Sequence, residues 1–255
     1  VITSDGKKIF GGVKDFGDTA ASLHNLHACD AVSFKDDIYY SNWIDVLRFP
    51  GGSGVTDISL VYQDTKTPSH KSFAVYPRDG FVSGSPVGDE TLFFCTGSGV
   101  IHRINPSGDT ESVADLGASA TSVRPGDNFN TRIYSTTLEP GRASILVPFN
   151  NQLHSFFPTA TSGYNHFIAN TDPSGASNWI DNSSSLPTAL TKWDSNVYSY
   201  VDEFRNRMYI AQVTMGEVGV QGHAGISKGA GGVYIHEYTS AGEWREVFRG
   251  TPGLT

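Results

Sequence analysis

Charged side chains are scarce in this chain of 255 residues, at 17% of the total, and their balance is acidic, with a formal net charge of −8 at pH 7. An average globular chain carries roughly 25% charged residues. Nucleic-acid binding needs clustered Lys and Arg side chains against the phosphates, so no nucleic-acid partner is expected. No apolar run approaches the roughly 18 residues that a membrane span requires, so no span is expected.

Several strong catalytic signatures are also missing, since the sequence contains no GxxxxGK, HExxH or CxxC pattern. Their absence excludes several enzyme classes but leaves enzymes with dispersed carboxylates. No cofactor is expected, and a structural cation in a central channel stays an alternative. The two cysteines, Cys29 and Cys95, either pair in a secreted protein or lie buried as thiols, and the sequence leaves both open.

Glycine is abundant, with 28 residues, and aromatic residues make up 12% of the chain. Together with frequent Ser, Thr and Asn, this composition is typical of a turn-rich β-protein. The shortage of Lys favours an extracellular, secreted protein. The chain begins at Val1, from which we expect a processed chain or a fragment.

A strand–turn–strand pattern recurs along the chain. Its first strand reads VLRF at 46–49, IHRI at 101–104, LHSF at 153–156 and IHEY at 235–238, and each is followed by a turn rich in small residues and Pro. A weaker copy covers residues 7–26. The first three copies are spaced about 50 residues apart, which suits one four-stranded unit, and the last interval is longer. The sequence therefore predicts an all-β fold, a single-domain β-propeller over 1–255. About five four-stranded blades are expected, with four or six blades, or a β-sandwich, as alternatives.

Three histidines occupy the same position of this pattern, namely His102, His154 and His236, whereas Leu47 fills it in another copy. They either form a ring of imidazoles around a ligand or pack structurally against the neighbouring strand. The leucine favours the packing role, because the position tolerates an apolar residue.

The last repeat carries the most suggestive side chains. Arg207 and Tyr209 share one face of a strand because side chains alternate with a period of two. His236, Glu237 and Trp244 follow in the next hairpin. Sugar recognition uses this mixture, with Arg and a carboxylate for the hydroxyls and an aromatic ring for the C–H face.

The stretch RMY…IHEYTSAGEW resembles one blade of the fungal fucose-binding lectins, whose pattern is R-x-Y, then I-x-E-[YF], a turn and a Trp. The resemblance implies a six-bladed propeller with sugar pockets between blades. Its implied contacts are Arg207, Glu237 and Trp244, and Arg132 in TRIYSTT matches the R-x-Y part alone.

A second stretch, HACDAVSFKDDIYYSNW, resembles the first strand pair of five-bladed glycoside hydrolases. This resemblance implies that Asp30 is a general base or nucleophile near the axis. A second carboxylate is then needed as the acid, and Asp127, Asp181 and Glu203 are candidates. The same stretch is similar to a blade of the four-bladed hemopexin type, which implies a binding or scaffold role.

The leading prediction is a lectin, a non-catalytic protein that recognises glycans at blade edges. Its predicted ligand-binding residues are Arg207, Tyr209, His236, Glu237, Trp244 and Arg132. The alternatives are a glycoside hydrolase that uses Asp30 and a scaffold propeller that binds a protein partner. Glycans are the expected partners, and a homo-oligomer is a further alternative.

Overall fold

The computed structural model describes residues 30–41, 45–51, 59–63, 70–105, 107–118, 143–159, 163–169, 171–192, 195–214 and 232–250. Its first eleven strands are β1 (Asp30–Phe34), β2 (Asp37–Ser41), β3 (Asp45–Phe49), β4 (Ser59–Gln63), β5 (His70–Lys71), β6 (Phe73–Pro77), β7 (Phe81–Val82), β8 (Ser85–Pro86), β9 (Glu90–Cys95), β10 (Val100–Ile104) and β11 (Thr110–Asp115). The remaining strands are β12 (Ala143–Phe149), β13 (Gln152–Pro158), β14 (Tyr164–Ala169), β15 (Trp179–Asp181), β16 (Ser195–Asp202), β17 (Arg207–Thr214), β18 (Gly232–Thr239) and β19 (Trp244–Gly250). Helical structure in these ranges is confined to α1 (Thr188–Lys192) and the 3₁₀ turns Ala176–Asn178 and Ser183–Ser185.

The larger strands form a series of antiparallel sheets. Sheet 1 is β1–β2–β3–β4, sheet 2 is β6–β9–β10–β11, sheet 3 is β12–β13–β14–β15, and sheet 4 is β16–β17–β18–β19. The short strand β5 extends sheet 3 by pairing in parallel with β12, and β7 pairs with β8 in a small hairpin. The all-β prediction is therefore confirmed, with a four-stranded sheet as the repeated unit. No sheet closes on itself within the described ranges.

Local sequence explains why these segments are strands joined by tight turns. In β17, buried Met208 and Ile210 alternate with the partly exposed Arg207 and Tyr209, the period-two pattern of a half-buried strand. The two-residue turn between β12 and β13 is Asn150–Asn151, with φ angles of 51° and 61°. Asparagine tolerates this left-handed conformation, which gives a turn whose twist matches the strands it joins.

A shift in strand register at equivalent positions of three sheets shows that the sequence repeat corresponds to a repeat of the fold. The pairing of the third and fourth strands shifts register just before Leu47 in sheet 1, His102 in sheet 2 and His236 in sheet 4. A bulge inserts one extra residue into a strand and is a specific feature of a sheet rather than random irregularity. The equivalence predicted for these three residues is therefore confirmed.

His154 does not belong to this set, which corrects the predicted alignment. It lies in β13, the second strand of sheet 3, whereas His102 and His236 lie in third strands. LHSF is a second strand and not a third, because the hairpin that follows it, between the second and third strands of sheet 3, has the same strand–turn–strand pattern as a hairpin between third and fourth strands. The weaker copy at 7–26 lies outside the described residues.

Successive sheets pack face to face and bury one core at each junction. Sheets 1 and 2 enclose Phe34, Tyr39, Val46, Phe73, Leu92, Phe94 and Ile104. Sheets 2 and 3 enclose a second core that includes Phe93, Ile101, Leu146, Phe157 and Phe167. Sheets 3 and 4 enclose a third that includes Ile145, Phe156, Met208, Ile210 and Tyr238. The first strands of the sheets touch in order, β1 with β6, β6 with β12 and β12 with β16.

Two glycines near β7 and β8 provide a matched test of this packing. Gly80 and Gly84 both have positive φ, 75° and 79°, but a Cβ at Gly80 would meet the backbone carbonyl of Thr171, whereas Gly84 has open space. Both alanine variants carry the cost of the left-handed backbone, about 1–2 kcal/mol. We expect Gly80→Ala to lower the free energy of unfolding further than Gly84→Ala in urea titrations. Equal losses would contradict the close approach at Thr171.

Candidate functional site

Three of the predicted ligand residues lie together on one face of sheet 4. Strand pairing sets Tyr209 opposite Glu237, and Glu237 opposite Arg245, and Arg207 lies two residues before Tyr209 on the same face. Arg207 Nε is 3.0 Å from Glu237 Oε1, and Arg245 Nη2 donates a 3.0 Å hydrogen bond to Glu237 Oε2. We call Arg207, Glu237 and Arg245 the Glu237 cluster.

Burial and charge define the state of this cluster. The Glu237 side chain is only 5% exposed, whereas those of Arg207 and Arg245 are 34% and 67% exposed. The hydrogen bond from Arg245, opposed by burial and reinforced by both positive charges, lowers the pKa of Glu237. The same hydrogen bond raises the pKa of Arg245. The cluster therefore holds an ionised carboxylate clamped between guanidinium groups that reach solvent.

Aromatic side chains lie beside the cluster on the same face. Tyr200 pairs with Tyr209 across β16 and β17, with ring centroids 6.4 Å apart and an interplanar angle of 31°. Tyr200 is 67% exposed and Tyr198, on the same face of β16, is 58% exposed. The face thus combines charged hydrogen-bond donors with an open aromatic surface.

The other two predicted residues of this repeat, Trp244 and His236, lie on the opposite face of sheet 4. Trp244 pairs with Tyr238, its ring centroid 4.7 Å from that of Tyr238, and faces the core between sheets 3 and 4. His236 is 1% exposed and lies parallel to the ring of Tyr234. Burial lowers the pKa of His236. The structure therefore separates Trp244 and His236 from Arg207, Tyr209 and Glu237.

The other residues singled out in the sequence, namely Arg132, the candidate acids and the two cysteines, lie outside the last repeat or in its turns. Arg132, Asp127 and Cys29 lie outside the described residues, and Cys95 is buried in the core between sheets 2 and 3. Asp181 accepts a hydrogen bond from the backbone N–H of Ser183, and Glu203 is exposed.

Asp30, the residue of the hydrolase alternative, joins two sheets. Its Oδ1 accepts from the backbone N–H of Ala31 and its Oδ2 from that of Phe73, both at 2.9 Å. Burial raises the pKa of Asp30, and the two backbone hydrogen bonds oppose that effect. This carboxylate therefore ties β1 to the start of β6.

Residues equivalent to Glu237 in two other sheets were missed as site candidates. Arg48 and Arg103 each follow the bulge position, as Glu237 does. Arg48 Nε lies 2.5 Å from Asp37 Oδ2, and Arg103 Nη2 lies 2.7 Å from Glu111 Oε2. The sequence contains a signal for these residues, because the third residue of VLRF, IHRI and IHEY is charged in each copy. An Arg–carboxylate pair therefore recurs at one position of sheets 1, 2 and 4.

The pair in sheet 2 borders a cleft between sheets 1 and 2. The cleft has a volume of about 180 Å³, and its lining includes Phe34, Lys35, Arg78, Glu90, Arg103 and Glu111. Its size is below the roughly 300–1,000 Å³ of pockets that hold drug-sized ligands. The cleft is therefore too small for a drug-sized ligand.

The described ranges contain neither a side-chain cluster for a metal ion nor a helix that could span a membrane. No group of three or more His, Cys, Asp and Glu side chains there is placed to hold a metal ion. No helix in the described part of the chain has the length and apolar character of a membrane span.

Comparison with known proteins finds no family pattern and no curated protein sequence that matches this chain. The Glu237 cluster and its counterparts at Arg48 and Arg103 are therefore the candidate functional features of the described residues.

Proposed function

We propose that this protein is a non-catalytic carbohydrate-binding protein. The observation that carries the proposal is the Glu237 cluster, an Arg–carboxylate arrangement on an exposed sheet face beside Tyr200 and Tyr209. Guanidinium groups donate several hydrogen bonds in a fixed plane, which suits adjacent sugar oxygens. Aromatic rings offer an apolar surface for the C–H face of a sugar ring.

The recurrence of the charged pair supports a protein with several sites. The Arg48–Asp37 and Arg103–Glu111 pairs occupy the position equivalent to Glu237 in sheets 1 and 2. Several weak sites on one rigid body bind a glycan-covered surface far more tightly than one site does. Glycans displayed in many copies are therefore the proposed partners, and secretion and self-association stay predictions.

We further propose that the four sheets are blades of one single-domain β-propeller. Each is a four-stranded meander, each junction buries an apolar core, and the first strands touch in chain order. Radial packing of such units leaves only short sheet edges, which is the usual advantage of a propeller. The number of blades stays a prediction.

A glycan array tests the proposed function through Glu237→Gln. The substitution removes the charge that orients both arginines, so we expect binding at this site to weaken at least about tenfold while the fold is kept. Glu246→Gln is the matched control, because Glu246 also pairs with an arginine, Arg249 at 2.9 Å, but on the opposite face of sheet 4. The control should bind as the natural sequence does.

Two results would overturn this proposal. An array on which the natural sequence binds no glycan removes carbohydrate binding altogether. Release of shortened sugars from a bound glycan over time shows an enzyme instead, and loss of that activity in Asp30→Asn would assign it to Asp30.

A further inference from the structure

The Glu237 cluster carries more positive than negative charge. Two guanidinium groups, from Arg207 and Arg245, share the single carboxylate of Glu237. Because Glu237 is 5% exposed and each of its oxygens faces an arginine, it offers little to a ligand as a hydrogen-bond acceptor. One positive charge is therefore left without a partner inside the cluster.

That charge is concentrated on Arg245. Arg207 Nη1 already donates to the backbone carbonyls of Arg205 and Asn206, at 3.3 and 3.0 Å. Arg245 is 67% exposed, and the groups that raise its pKa are Glu237 and, more weakly, Tyr209. Its remaining N–H groups are thus directed at solvent or at a ligand.

The carboxylate opposite Arg207 in the register of β16 and β17 does not cancel this charge. Asp202 pairs with Arg207 in the sheet register, but its side chain binds Arg205, with Oδ2 3.0 Å from Arg205 Nη1 and Oδ1 accepting from the backbone N–H of Arg205. The chain as a whole has a net charge of −8. A positive site at Arg245 is therefore a local feature of sheet 4 and not a property of the whole surface.

We infer that the sheet 4 site takes an acidic sugar, whose carboxylate or sulfate group binds Arg245 and whose ring packs on Tyr200 and Tyr209. This inference rests on the proposed carbohydrate binding and names its ligand class. The planar fork of an arginine matches two oxygens of a carboxylate or sulfate, and such charged hydrogen bonds are roughly twice as strong as neutral ones. A neutral sugar leaves the excess charge of the cluster unpaired.

Titration calorimetry with matched ligands tests the inference. One pair is a galacturonic acid oligosaccharide and its methyl ester, in which each carboxylate is replaced by a neutral ester, and the other is galactose 6-sulfate and galactose. We expect each acidic ligand to bind at least about tenfold more tightly than its neutral partner, with affinity falling as salt is added. Inorganic sulfate should bind more weakly than either acidic sugar, because it has no ring to pack on the tyrosines.

Variants of exposed arginines distinguish binding at the Glu237 cluster from a general effect of surface charge. Arg245→Gln should abolish the preference for the acidic ligands, and Arg245→Lys should retain part of it. Arg249→Gln is the control, because Arg249 is 63% exposed and pairs with Glu246 on the opposite face of sheet 4, so this substitution removes the same charge without touching the Glu237 cluster. It should leave the preference unchanged.

Some results would overturn the preference for acidic sugars alone, and others would also remove the proposed carbohydrate binding. Equal affinity for acidic and neutral partners, or binding of inorganic sulfate as tight as that of the acidic sugars, overturns the inference and leaves carbohydrate binding in place. A glycan array that shows binding of neutral sugars only also overturns the inference and leaves carbohydrate binding in place. An array that shows no binding of any glycan removes the proposed function and the inference with it.

Discussion

Lowering the pH from 7 to 5 is expected to reduce the free energy of unfolding by several kcal/mol, through the histidines buried between sheets 3 and 4. His154 Nδ1 and His166 Nε2 are 3.0 Å apart, and both side chains are fully buried. The ring of Phe156 stacks on His166, with centroids 4.3 Å apart, and Asn182 Nδ2 lies 3.2 Å from His166 Nδ1. No acidic side chain is among these contacts, so nothing there stabilises a protonated imidazole.

The direction of the effect follows from the pKa values. Burial lowers the pKa of His154 to about 3, and burial together with the neighbouring His154 lowers the pKa of His166 well below its usual range. An unfolded histidine has a pKa of about 6.5. Below that pH the unfolded chain binds protons that the folded protein excludes, so stability falls between about pH 6.5 and 3. Each such histidine contributes about 1.4 kcal/mol per pH unit in this window.

Urea unfolding at pH 7, 6 and 5 measures this slope above the range in which carboxylates titrate. His154→Phe suits the aromatic surroundings and should reduce the slope by about one proton. Ser155→Ala is the control, because Ser155 is the next residue of β13, equally buried, and does not titrate. A free energy of unfolding that stays constant from pH 7 to 5 would show that these imidazoles are not buried in neutral form.

Phe156→Ala should have the largest effect on stability of any single substitution proposed here. Phe156 is 1% exposed, stacks on His166 at an interplanar angle of 6° and meets the edge of Trp244 with centroids 6.1 Å apart. Removing a buried phenylalanine leaves a cavity and costs about 3–5 kcal/mol. For a chain of this size each kcal/mol corresponds to roughly 2–4 °C in Tm.

Phe204→Ala is the matched control for this substitution. Phe204 lies between β16 and β17 and is 96% exposed, so its removal should change stability by less than about 0.5 kcal/mol. Calorimetric melting of both variants compares them directly. Similar Tm values for the two variants would mean that sheets 3 and 4 do not pack through Phe156.

The candidate site was partly predictable because sheet geometry is regular. Arg207 and Tyr209 share a face through the two-residue period of a strand. Their position opposite Glu237 required the register between β17 and β18, which a long intervening segment hides from the sequence. Trp244 lies on the other face from Glu237, because the two are an odd number of residues apart around a tight hairpin.

Sequence alone determined the all-β class, the repeated four-stranded unit and the shared face of Arg207 and Tyr209. Each of these follows from local causes, namely side-chain alternation, turn residues and spacing. Only the tertiary structure decided that Arg245 completes the Glu237 cluster, that Trp244 packs against the core and that His154 and His166 are buried together. These outcomes depend on strand register and on which sheet faces meet, and both are set by packing between residues far apart in the chain.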